Sequence, residues 1–392
     1  MPLLSNKGKS FQGSIVLGKG FVLSTEEADK LIKKDSRNKD VLFPYLNGED
    51  LNNDPVQKPS RWVINFFDWD EEKAKTYPDC YKIVEKLVKP ERQRWKKDNE
   101  DNEIIGTYAL RKPLPEKWWI YGEKRPALYN AISELDQVMV VARISKTLAM
   151  CFVPQKTVFA DALVIFSDNK SSFFGILQST IHSIWAWKYC TTMKSDLNYT
   201  PGNVFDTFPF PNMMEDIEDI SIQYYNFRDF ILKSLNIGLT KMNNLINNRE
   251  LNLLVGQIKE IDEENINISY GKDTYWLYRH LKQNSNKISL KQAITYLDQL
   301  RDLHIKLDKE VIKIYGWTDL ELKHDFYELE YLPENDRIRF SIHPDARKEI
   351  LKRLLILNHQ IYKQDTSKNS NIKPKATKII YKQNKDISPK LF

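Results

Sequence analysis

Apolar and polar positions alternate in two different ways along this chain, and the change falls near residue 212. Before it, apolar residues come in short runs of strand type. Phe11, Ile15, Leu17, Phe21 and Leu23 share one parity, and Arg61–Phe67 combines Val, Ile and three aromatics. Val138–Ile144 and Leu148–Val153 predict an antiparallel pair joined by the hairpin-length linker Ser145-Lys-Thr147, and Asp161–Phe166 adds a buried strand. Between these runs, Ser24-Thr-Glu-Glu27 has the form of a capping box opening a helix to about Lys34. Helical spacing also covers Tyr77–Lys97, Ala127–Leu135 and Ile176–Tyr189. After Pro211 the period lengthens to that of amphipathic helices over Ile220–Leu235, Leu239–Val255, Leu290–Tyr315 and Pro344–Tyr362. The expected fold is α+β: a mixed, largely antiparallel domain over 1–212, a helical domain over 213–362, and a disordered basic tail over 363–392.

Charge adds one constraint. The net +6 is uneven: residues 1–212 carry 30 Lys/Arg against 27 Asp/Glu, residues 213–362 carry 21 against 24, and residues 363–392 carry 8 against 2. The tail accounts numerically for the excess, so a polyanion-binding face in the folded part must be a local patch. No run of about 18 apolar residues occurs and the N-terminus lacks a signal-peptide core, which places the expected location in the cytoplasm. Cys80, Cys151 and Cys190 are too far apart for a zinc knuckle or a disulfide framework, and no HxxxH or HxH pair occurs. No metal or cofactor is expected on this chain.

Catalytic signatures are missing. The sequence contains no GxGxxG, P-loop, GxSxG or HExxH, and no (Asn/Asp/Ser)-Pro-Pro-(Tyr/Phe) such as an amino-methyltransferase uses to hold a flipped base. What remains is binding chemistry. Thr191–Pro201 is a polar loop between an aromatic helix and the rigid Phe208-Pro-Phe-Pro211. Lys194 and Asp196 stand two apart, so in an extended segment they face one way. Lys can donate to guanine O6/N7 and Asp can accept from cytosine N4, with Asn198 as a further candidate. A surface ion pair is the plainer alternative for the Lys/Asp pair. Lys89, Arg92, Arg94, Lys96 and Lys97, interleaved with Trp95, suit phosphate contacts on a helix face, and Lys124 and Arg125 extend the set. A solvated helix face explains that run equally well.

Several phrases resemble the C-terminal, target-recognition half of single-chain type II restriction–modification enzymes and related adenine-N6 DNA methyltransferases, the MmeI-like and Eco57I-like group. They are Phe43-Pro-Tyr-Leu-Asn-Gly-Glu-Asp50, Trp119-Ile-Tyr-Gly with Arg125-Pro126, Val141-Ala-Arg143, Lys194-Ser-Asp196 with Tyr199, and Phe208-Pro-Phe-Pro211. Tyr315-Gly-Trp317, Tyr331-Leu-Pro-Glu-Asn335 and Leu354–His359 carry the likeness to the end of the fold. The resemblance implies recognition of double-stranded DNA, with the loop matching Lys194 and Asp196 among the base-reading positions. It also implies a methyltransferase domain that binds S-adenosylmethionine, here expected on a partner chain or lost from a split gene, because this sequence starts where that domain would have ended. The chain alone is then expected neither to methylate nor to cleave. A complete enzyme with unrecognised motifs, or an adaptor that docks a methyltransferase without touching DNA, are the alternatives.

Overall fold

The computed structural model describes residues 1–193, 196–259, 266–284 and 288–369. Its centre is an antiparallel sheet in the order Ser10–Gln12, Leu163–Phe166, Gln137–Ala142, Cys151–Pro154. All four residues of Leu163–Phe166 are buried, as a continuous apolar run in a strand covered on both faces requires. A second sheet runs Val158–Phe159, Leu42–Leu46, Arg61–Ile64, Val22–Ser24, antiparallel except where Val158–Phe159 joins Leu42–Leu46. The α+β expectation holds, with small antiparallel sheets in the first half and helices dominating the second.

Local signals that read correctly did so for local reasons. The Ser24 hydroxyl accepts from the Glu27 amide and the Glu27 carboxylate accepts from the Ser24 amide, opening the helix Thr25–Lys34. The expected pair around residues 138–153 is antiparallel, Val138 facing Val153. Its linker is not a simple hairpin, because Ile144–Ser145 leaves to form an edge of a third sheet.

Several helices are broken where the periodicity ran on. Tyr77–Lys97 is not one helix: Pro78–Leu87 is followed by the single turn Lys89–Arg92, which contains Pro90, and the chain then becomes extended. Trp95–Lys97 pairs with Glu103–Tyr108 in a ribbon, Trp95 stacking on Tyr108 at 4.8 Å. Ile176–Tyr189 is divided at Ser179 into Ser171–Gln178 and Thr180–Tyr189. Leu239–Val255 is divided into Leu239–Ile246 and Arg249–Gly256, the Asn248 side chain capping the second. Lys272–Gln283 is a further helix, and Asp325–Glu328 pairs with Ile338–Ser341 as a hairpin. The last helix runs Pro344–Asn369, so residues 363–369 are helical and not part of a disordered tail; residues 370–392 lie outside the described ones.

The buried core does not divide at residue 212. One cluster joins Leu163, Trp185 and Phe208 of the first half to Leu232, Leu297 and Leu354 of the second without interruption. A smaller cluster, from Val16 to Tyr121 with Val158, lies under the second sheet and includes Phe21, Phe66 and Trp118. The large core is what fixes the third sheet against the helical half.

Candidate nucleic-acid interface

The third sheet is built from Thr191–Met193, Asp196–Asn198 and Ile144–Ser145, all antiparallel. Strand alternation turns Leu197 into the core, fully buried, and sends Asp196 and Asn198 to the other face. The helix Thr180–Tyr189 leads into it directly. Trp185 of that helix is core, and its indole Nε1 donates to the Thr207 hydroxyl at 3.1 Å. His182 Nε2 and the Tyr199 hydroxyl lie 3.1 Å apart, holding the helix to the chain just beyond the sheet.

Asp196 lines one wall of a polar cleft of about 900 Å3, together with Ile144, Ser145, Lys146 and Thr147. The opposite wall belongs to the helical half. It contains the N-terminal residues of two helices, Arg249 of Arg249–Gly256 and Lys272 of Lys272–Gln283, and the segment Asp336–Arg339. Many of these charges are spoken for: Lys146 pairs with Asp336 at 3.0 Å, Arg339 also meets Asp336, and Asp273 accepts from Lys241 at 3.0 Å and from Asn248 at 2.9 Å. The side chains of Asp196, Arg249 and Lys272 make no hydrogen bond or ion pair with other described residues. One wall therefore offers a free carboxylate on a strand. The other offers free cations at helix N-termini, where backbone amides and the helix dipole favour phosphate.

The predicted readers fare differently. Asp196 faces the cleft. Lys194 lies outside the described residues. Asn198 donates its amide to the Thr191 hydroxyl across the hairpin at 3.0 Å, and its Oδ1 is buried without a partner.

None of the seven predicted backbone-clamping residues lines the cleft. Arg92 cannot reach a phosphate. It is fully buried, and its guanidinium donates to the carbonyls of Leu17 (2.6 Å), Val16 (3.0 Å) and Ile120 (2.6 Å), burial pushing it down to about 10. Lys89 pairs with Glu85, Lys97 with Asp101, Lys124 with Asp68 and Arg125 with Glu123. Arg94 and Lys96 are exposed on or beside the Trp95 ribbon and not on a helix face. The cleft cations Lys146, Arg249, Lys272 and Arg337 were missed. The available signal was Asn248 before Arg249-Glu250, a helix start inside an apolar period that otherwise continues.

The arrangement, a strand on a rigid core facing a cation-bearing helical wall across a polar cleft, is one that a target-recognition module would use. The sequence agrees: residues 5–212 match the family model described as MmeI, target recognition domain, and the chain belongs to that family. A solved structure of the type IIL restriction–modification enzyme MmeI in complex with DNA shares the fold, with a TM-score of 0.50 and 14% sequence identity. The match covers 93% of this chain and 36% of that one, so this chain spans little more than a third of the MmeI protein. No curated protein matches the chain in sequence.

Proposed function

We propose that this protein recognises a specific sequence in double-stranded DNA, as the specificity part of a restriction–modification enzyme. The observation that carries the reading is Asp196: a free carboxylate on a strand of the recognition sheet, facing cations at two helix N-termini across the cleft. A carboxylate accepts from cytosine N4 at a base edge, and with Lys194, two positions before it in sequence, the pair would address both bases of a G·C pair. Arg249 and Lys272 hold the phosphodiester on the far side, which sets the depth at which Asp196 meets the groove without selecting sequence. Membership of the MmeI target-recognition family supports this division of labour.

The chemistry of modification is assigned to another domain or chain. The expected partner is an adenine-N6 methyltransferase carrying S-adenosylmethionine, working in the cytoplasm of a cell defended against phage. Among the described residues no helix is long and apolar enough to cross a membrane, and no group of three or more His, Cys, Asp or Glu is placed to hold a metal ion.

The test is an anisotropy titration of the full chain across a randomised duplex library at moderate salt. A preferred sequence is expected. Asp196→Ala should relax the preference at one base pair by about 1–3 kcal/mol, while Arg249→Ala should weaken all duplexes alike and reduce the salt slope by about 1. Equal binding of all sequences by the unaltered chain would rule the readout out.

A further inference from the structure

The carboxylate of Asp308, on the helix Leu290–Ile314, is fully buried and does not itself line the cleft. A buried carboxylate costs several kcal/mol unless donors surround it. Here three elements supply them. Its Oδ1 accepts from the backbone amide of Thr180 at 2.8 Å, and its Oδ2 accepts from His324 Nε2 at 2.8 Å, with His304 Nε2 at 3.6 Å. The Thr180 hydroxyl in turn lies 3.0 Å from His304 Nε2. Burial alone would raise the Asp308 carboxyl, but the two imidazoles and the Thr180 amide outweigh it and hold the group below its ordinary value.

Thr180 is the first residue of Thr180–Tyr189, the helix that runs straight into the recognition hairpin; only Cys190 separates it from Thr191. Asp308 therefore places a negative charge at the positive end of this helix, across the junction between the two halves. A second contact from the helical half lies near the other end, where Trp187 stacks on Tyr331 at 4.6 Å. Ten residues of helix span about 15 Å, so a small rotation at the Thr180 end moves the hairpin along the cleft.

We infer that Asp308 is a positioning residue for sequence readout: by holding the Thr180 amide it fixes the Thr180–Tyr189 helix to the helical half, so that the hairpin carrying Asp196 meets the phosphate-holding wall in one register. The two walls of the cleft are thereby built to a common reference although they lie on opposite sides of the chain's midpoint. The statement about readout rests on the function proposed above; the statement about the hairpin's position does not.

The experiment is hydrogen exchange on the full-length protein, comparing the unaltered chain with Asp308→Leu, which has no acceptor for the Thr180 amide, followed by duplex binding. The expected result is at least tenfold faster exchange at the amides of 191–193 and 196–198, with the central-sheet amides of 137–142 and 163–166 unchanged. Discrimination between the preferred and a scrambled duplex should fall at least tenfold, and low-salt binding to the scrambled duplex should change less than twofold. His324→Leu, which keeps the carboxylate and removes one donor, should give the same pattern at about threefold; it decides the matter if Asp308→Leu does not fold. Unchanged hairpin exchange in a folded variant, or exchange that rises equally everywhere, would overturn the proposal. If the unaltered chain shows no sequence preference, the readout reading falls, and the exchange comparison still decides whether Asp308 holds the hairpin.

Discussion

His182 shows how much one side chain can reveal. It is fully buried on the recognition helix, with Nε2 against the Tyr199 hydroxyl and Nδ1 without a partner. Burial depresses it to about 3. The unfolded chain, with an ordinary histidine near 6.5, binds this proton first, so the contribution to stability is complete above pH 6.5 and is lost as pH falls toward 3. His304, also lowered by burial, adds in the same direction. The expected outcome is a melting temperature that declines between pH 7.5 and 5, and a shallower decline for His182→Gln, followed by circular dichroism. A slope equal to that of the unaltered protein would show that this imidazole is not held neutral. Arg92 teaches the complementary lesson: a residue chosen for its charge is used for its five donors, closing carbonyls left open by an irregular stretch of backbone.

At the scale of elements, the helix Ser171–Gln178 packs on Glu218–Leu235 so closely that a Cβ on Gly175 would lie 2.0 Å from the Ser221 hydroxyl, itself tied to the Ile217 carbonyl at 2.6 Å. Gly175→Ala is accordingly expected to cost about 1–3 kcal/mol in urea unfolding, as overpacking does. The close approach was invisible in the sequence, where Gly175 is one small residue in an apolar helix. What could be read were signals complete within a few residues, such as the Ser24–Glu27 box and the buried run Leu163–Phe166. Breaks were lost where the apolar period continued through them. Ser179 ends one helix and caps the next with its own hydroxyl, and further on Asn247 ends a helix and Asn248 caps the next, without interrupting the spacing of apolar residues. Half of the candidate site was legible, because Asp196 belongs to a locally recognisable loop. The facing wall was not, since Arg249, Lys272 and Arg337 become neighbours only through packing between distant helices.

At the scale of the whole molecule, the halves are one body by burial. Besides the shared core, the N-terminal ammonium donates to Asn358 at 2.9 Å, and Asn358 donates to the Thr207 carbonyl at 2.7 Å, tying the start of the chain, the end of the recognition domain and the last helix together. A fragment of residues 1–212 should therefore lack a cooperative melting transition and bind a hydrophobic dye, whereas the full chain melts in one step. Independent, sharp melting of that fragment would contradict the continuous core. The recognition sheet stands apart from this economy. It joins the strand Ile144–Ser145 through only two opposed pairs, Leu197 with Ser145 and Asn198 with Ile144, and only Leu197 of the strand Asp196–Asn198 is buried. Substitutions at its outward positions therefore remove little packing. Replacing Asp196 is accordingly expected to leave the melting temperature within about 1 °C of the unaltered protein, whatever it does to binding.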